Sequence, residues 1–311
     1  MSVRFLLAGI MLLPALNCFG QGYTPVGSVP APAVCRLFDP VANTPDSSAA
    51  DGSTNLPTQL LAIYNNQAHL TQTVKAVAEV RVIRGPKFGK SAGKSRVIGS
   101  FMDFEQPAWL RVIGVVPLAG TKIFDLSSDG REFRLMAPDH DKMTLFIGPS
   151  ESEPDFTAGS LNLRPQEFLD ALRWEEGKLA FKSESRPAVS SQSFMVDIDL
   201  PSRTGKSVSG KLQFDLTAGT VSSLRIYNAT GEILSELAYA DWRAASGAPG
   251  QTKEDCFPHR VRVIHPVEDY QIDIRFLEVA RNSPLPRADF RFKPPHGIPV
   301  VRVSETGNKE Q

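Results

Sequence analysis

From Ala78 onward, apolar and polar residues alternate with a period of two for most of the chain, in short runs separated by Gly, Pro, Asn, Asp and Ser. That period is the signature of half-buried strands joined by tight turns. AEVRVI sets Val80 and Val82 against Glu79 and Arg81, and VIGSFMDF, WLRVIGVV, TKIFDL, EFRLM and TLFIG follow. A second group holds SFMVDIDL, GKLQFDL, VSSLRIYN, EILSELAYADW, HRVRVIH, YQIDIRFLEV and ADFRF. In SSDGREF, Asp129-Gly130 stands between two such runs and predicts a type I′ hairpin, whose positive φ angles those residues tolerate.

Two segments break the period. Residues 57–77, PTQLLAIYNNQAHLTQTVKAV, place Leu60, Ile63, Tyr64, Leu70 and Val74 among polar residues, predicting an amphipathic helix after the cap residue Asn55. RPQEFLDALRW predicts a second, with Pro165 in its first turn and Phe168, Leu169 and Leu172 as its apolar stripe. The expected fold is therefore mainly β, of the α+β type. It is a strongly curved antiparallel sheet or half-barrel of about a dozen strands, with two or more helices packed on its concave face. So wide a sheet has more apolar face than two helices cover, which predicts either a lipophilic cavity or a sheet folded on itself.

The opening MSVRFLLAGIMLLPALNCFG joins Arg4 to an apolar run from Phe5 to Leu16 and then small residues, the form of a secretory signal. That run is shorter than the ~20 residues that span a bilayer. Residues 1–20 read as the signal peptide, 21–55 as an irregular Pro- and Ala-rich segment, 56–303 as the β half-barrel domain and 304–311 as a disordered tail. Release after Gly20 gives a soluble periplasmic protein; a looser reading of Ala15–Cys18 as a lipobox gives a lipoprotein anchored to the envelope through Cys18. Either way Cys35 and Cys256 are the two remaining cysteines in an oxidising compartment, and a disulfide between them is expected, against the alternative of two buried free thiols.

Charge narrows the function further. Lys plus Arg and Asp plus Glu each number 34, so no net field draws the 311-residue chain to nucleic acid. RGPKFGKSAGKSR lacks the Walker A spacing and lies between strands, so it reads as a basic hairpin loop. No nucleophile elbow or zinc-protease motif occurs, and no metal or cofactor is expected. Asp139-His140-Asp141 reads as a polar turn, His259 and His265 as surface or edge residues at the two ends of RVRVI, and Asp197 and Asp199 as the wet face of a strand. Trp109, Trp174 and Trp242 read as too scattered to form a stacking platform.

The order of elements, with DFEQPAWLR followed by KIFDLSSDGREFRLMAP, resembles the LolA/LolB-like superfamily of periplasmic lipoprotein carriers and receptors. The match is strongest over residues 101–148, at Pro107, Leu110, Arg111, Asp129, Gly130, Phe133 and Pro138, and coarsely covers 56–303. The chain departs from the pattern in being longer than single-domain carriers. The resemblance implies a concave half-barrel, lidded by helices, that binds acyl chains of lipids or lipoproteins without chemistry, as a monomer. Its lining is expected from Leu60, Ile63, Phe101, Trp109, Phe124, Phe133, Phe168 and Leu172, residues that an ordinary core also needs. The alternative is a structural or protein-interaction module of the envelope with an envelope protein as partner.

Overall fold

The computed structural model describes residues 35–39, 56–84, 97–139, 141–150, 163, 165–180, 192–201, 208–245, 256–267, 269–292, 294–303 and 309–310. These belong to one unit, 33–311. The signal, Cys18, most of segment 21–55, the basic loop 85–96 and His140 lie outside the described residues.

The elements in chain order are α1 (Leu56–Leu70), β1 (Thr73–Arg84), β2 (Val97–Glu105), β3 (Trp109–Val115), β4 (Lys122–Ser128), β5 (Glu132–Asp139), β6 (Lys142–Pro149), α2 (Pro165–Leu172), β7 (Lys178–Leu179), β8 (Ser193–Leu200), β9 (Val208–Asp215), β10 (Thr220–Tyr227), β11 (Ile233–Ala244), β12 (Cys256–His265), β13 (Tyr270–Arg281), β14 (Val300–Val303) and β15 (Lys309–Glu310). The strands form one curved, unclosed 15-stranded sheet in the order β15-β14-β6-β5-β4-β3-β2-β1-β13-β12-β11-β10-β9-β8-β7. Two meanders thus run outward from the central pair β1–β13, one wing made of β2–β6 and the other of β12 back to β7. Every neighbouring pair is antiparallel except β14 with β6.

Both helices sit on the concave face. α1 buries Leu60, Leu61, Tyr64, Gln67 and Ala68, one stripe at helical spacing, while α2 buries six of its eight residues. A helix buried nearly all round is a plug rather than a surface element. Helix α1 ends at Leu70, earlier than the expected run to Val77, because Asn282 just after β13 intervenes. The Asn282 side chain donates to the Leu70 carbonyl and accepts from the backbone N–H of Gln72 and Thr73, so β1 begins at once.

A second departure lies on the convex face. The described residues between 282 and 299 leave the centre of the sheet and cross the outer side of the first wing as a strap to reach its edge as β14. The expected strand in ADFRF is instead a 3-10 turn, Arg287–Phe290, in which the Asp289 N–H donates to the Pro286 carbonyl. Beneath the strap Met136, Leu145 and Phe292 form a small second core. The expected tail also contains β15, which pairs with β14 and covers an edge that would otherwise present open backbone groups. At Asp129-Gly130 the hairpin is present, but only Gly130 takes a positive φ (88°). The Asp129 carboxylate accepts from the N–H of Arg131 and Glu132, an Asx turn in place of type I′.

Candidate functional site: the plugged concave face

Six of the eight positions expected to line a cavity converge here. Leu60 and Ile63 come from α1, Phe168 and Leu172 from α2, and Phe124 and Phe133 from the sheet. All are buried in the main core except Ile63, which packs against it partly exposed. Gly114 on β3 makes room for this arrangement, since a Cβ there would overlap the Phe124 ring. Phe101 and Trp109 are corrections. In β2 the buried set is Ile98, Ser100, Met102 and Phe104, and in β3 it starts with Leu110, so both residues fall on the opposite parity and lie on the convex face. Phe101 is 52% exposed; Trp109 lies under the strap, 5.8 Å from the Phe290 ring and 4.3 Å from the Arg287 guanidinium carbon.

Polar contacts hold the helices in place, and β13 supplies one at each end. At its first residue, the Tyr270 hydroxyl donates to the buried Glu167 carboxylate of α2 (3.3 Å). At its last, Arg281 donates to Gln67 of α1 (3.2 Å) and to Thr71 just beyond it (3.3 Å). Asn65 joins α1 to the chain after α2 by two 2.9 Å hydrogen bonds with the backbone of Gly177, the side-chain amide acting as a peptide mimic.

The residues that sequence reading missed form an aromatic group beside the plug. Trp174 stacks on Tyr239 at 4.8 Å and lies 5.4 Å from Tyr64 and 5.8 Å from Trp242. Two of the three tryptophans expected to be scattered therefore meet, and the Trp242 indole N–H donates to the Val221 carbonyl. Burial, reinforced by the Glu175 carboxylate, pushes the Tyr64 phenol up; Tyr239 is raised by burial and by Tyr64. Both stay neutral through the physiological range. Above this group a cleft of about 430 Å³ opens between the end of α1, the β2–β3 turn and residues 173–176. Pro107, Ala68 and Trp174 make its apolar wall and Gln72, Arg173 and Glu176 its polar one.

The remaining candidates are structural. Asp197 on the convex face pairs with Lys211 at 3.7 Å. His259 is a correction, being buried at 6% exposure with its Nδ1 3.2 Å from the Phe276 carbonyl. It shares its face of β12 with Phe257, Val261 and Val263. Among the described residues no group of three or more His, Cys, Asp or Glu is placed to hold a metal, and no helix is long and apolar enough to cross a membrane. The disulfide is present, joining Cys35 to Cys256 with Cα atoms 5.6 Å apart.

No family model and no curated protein matches the chain. It is similar to solved structures that include a LolA superfamily protein from Nitrosomonas europaea, with 11% identity, 75% of this chain and 97% of that one covered, and a TM-score of 0.49. Others are a DUF1329 family protein from Desulfovibrio piger (12%, 76% and 96%, TM-score 0.47) and a domain described as outer membrane lipoprotein-sorting from Vibrio parahaemolyticus (10%, 75% and 97%, TM-score 0.44).

Proposed function

We propose that the protein is an exported, non-enzymatic binder that takes the acyl chains of lipids or lipoproteins against its concave face, with α1 and α2 as an exchangeable plug. The observation that carries this reading is the plug itself: two helices, one of only eight residues, fill an unclosed sheet and are tied to it by a few side-chain hydrogen bonds. Lifting α2 uncovers Phe168, Leu169 and Leu172, which contribute roughly 1.5–3 kcal/mol each when buried. An acyl chain returns ~0.8 kcal/mol per methylene, so about six to eleven methylenes offset that exposure. The latching groups are polar or charged, and water satisfies them once the helices move. Binding of this kind needs no reacting group.

The β3–β4 hairpin tip supports contact with an apolar phase. Leu118 at this tip is fully exposed and holds a φ of 68°, flanked by Val116, Pro117, Ala119 and Gly120 with no charge among them. Neither property helps the fold, because a left-handed leucine is strained by roughly 1–2 kcal/mol.

The first test is native mass spectrometry of mature protein purified from a bacterial envelope without detergent, followed by solvent extraction. Stoichiometric lipid is expected. A lipid-free mass under several growth conditions, with no uptake of a dansylated fatty acid measured by energy transfer from Trp174 and Trp242, moves the reading to an envelope interaction module. Leu118→Asn, which suits the left-handed backbone, is expected to keep or raise the melting temperature while lowering association with lipid vesicles.

A further inference from the structure

The convex face carries an apolar strip that the strap leaves open. Val77 on β1 pairs in register with Phe101 on β2, and Phe101 with Ile113 on β3. On the other side of β1 the register slips between Val77 and Ala78, so Leu277 and Glu278 of β13 both stand opposite Val77. The result is a line of four apolar side chains across four adjacent strands, with Phe101 52% and Leu277 47% exposed and Val77 and Ile113 half-buried. Nothing in the concave site uses these residues. Phe101 in particular has no packing reason to be aromatic, and neighbouring exposed apolar residues of this kind mark interaction sites more often than isolated ones do.

The charges beside the strip say what covers it. On β1, Lys75 and Glu79 flank Val77 at equal distances on the same face. Lys75 lies 4.0 Å from Asp103, and Glu79 lies 3.5 Å from Arg275, and both remain substantially exposed. A two-fold axis running along the strip lays each apolar residue over its own counterpart in a second copy. The same rotation brings Lys75 of one copy over Glu79 of the other, twice per pair, and sets the exposed Glu278, which also stands opposite Val77, over its own counterpart once. Two opposite-charge contacts against one like-charge contact leave the pattern complementary to itself, as an isologous contact requires, and the chain's formal net charge, zero before the signal takes Arg4 with it, sets up little repulsion between copies.

We infer that this strip is the contact of a weak, two-fold symmetric homodimer formed through the convex face, departing from the monomer that the resemblance implies. The strip is short and the face curves away from it, so the contact belongs with small transient interfaces. It leaves the concave face of both copies open and is independent of lipid binding.

Sedimentation velocity of the mature protein over a wide range of micromolar loading concentrations tests it. The expected result is a concentration-dependent shift from monomer to dimer that Phe101→Asp and Leu277→Asp each weaken at least tenfold without lowering the melting temperature. Lys75→Glu is expected to weaken the dimer and Lys75→Glu with Glu79→Lys to restore it, since the exchanged charges again oppose one another. A chain that stays monomeric throughout overturns the inference, as does a dimer indifferent to Phe101→Asp or a double exchange that fails to restore it. Monomer that instead pellets with phosphatidylethanolamine–phosphatidylglycerol vesicles, and loses this with Phe101→Asp, also overturns it and assigns the strip to a lipid surface.

Discussion

The two wings that meet at β1 and β13 are buried in different ways. The wing of β7 to β12 is covered chiefly on its concave side, and β8 alternates strictly, with Phe194, Val196, Ile198 and Leu200 buried and Ser193, Met195, Asp197 and Asp199 half-exposed. The wing of β2 to β6 has the helices on one side and, over part of the other from the end of β3 to β6, the strap, and β4 buries five residues in succession, Phe124 to Ser128. The cost of that second layer is visible at Asp125, whose side chain is 1% exposed. Arg111 meets it with two 3.1 Å hydrogen bonds, Lys122 adds another at 2.8 Å, and Arg111 also donates to the Asp289 carbonyl of the strap. One wing is a sheet with a wet back; the other is the middle layer of three, pinned by a buried ion cluster.

That difference predicts the largest effect. Arg111→Met leaves the Asp125 carboxylate buried with Lys122 alone and detaches the strap, so it is expected to destabilise the protein by about 3–5 kcal/mol in chemical denaturation. A loss below about 1 kcal/mol would mean that the strap does not seal this face.

Next is the disulfide, which braces the other wing. Cys35–Cys256 ties residues 35–38 against β10 and β11, where the Leu37 N–H donates to the Gly219 carbonyl and the Cys35 N–H to that of Trp242. Gly219 takes a φ of 69°, and a Cβ there would strike the Phe38 carbonyl oxygen, so the tie depends on glycine. Cys35→Ser with Cys256→Ser is expected to lower stability by about 2–5 kcal/mol, less than the loop length alone implies if the reduced chain keeps structure. Equal melting temperatures with and without reductant would sink this.

The same contrast explains what the sequence could reveal. Where one face is wet, side-chain period reports the fold directly, and β8 and β9 are legible residue by residue. Phe101 and Trp109 were assignable to the convex face by the same parity, since each neighbours a buried residue of the opposite set; bulk and aromaticity pointed to the lining instead. The strap was not legible, because ADFRF alternates as a strand does and only its tertiary contact with Trp109 and Arg111 makes it a turn. The Trp174 group was equally hidden, being assembled from α1, the chain after α2, and β11. The cysteines were readable by counting, and the capping of α1 by Asn282, over two hundred residues away, was not.

A smaller effect follows from His259 in the second wing. Burial, with help from the Arg243 cation, holds its imidazole below the ordinary value of 6.5, outweighing the Phe276 carbonyl and Asp241, which favour the charged form. The folded state therefore binds this proton less readily than the unfolded chain. Its contribution to stability is complete above about pH 6.5 and is lost as pH falls from there through the lowered folded value. Asp129 and Asp273 act in a separate, more acidic window, because each carboxyl lies below the ordinary 3.8: burial raises it, but hydrogen bonds from the backbone of Glu132 and Arg131 in one case, and from the Arg260 side chain in the other, outweigh that effect. Denaturation midpoints of the wild type and His259→Gln are expected to converge as pH is lowered from 7 toward 5. Parallel curves would show that His259 does not titrate differently on folding.

The smallest effect belongs to the wet back of the second wing and is the sharpest check on the comparison. Asp197 and Lys211 face each other across β8 and β9, with side chains 33% and 49% exposed. Water screens such a pair, and fixing two long side chains offsets most of its attraction. Lys211→Met is therefore expected to change stability by less than about 1 kcal/mol, against several for Arg111→Met, although each variant removes the cation from an ion pair on the convex face. The two pairs differ in burial, because a second layer lies above one of them, and in the bidentate geometry that this burial accompanies. A loss at Lys211 comparable to that at Arg111 would mean that the second wing also has a cover, and that the comparison between the wings fails.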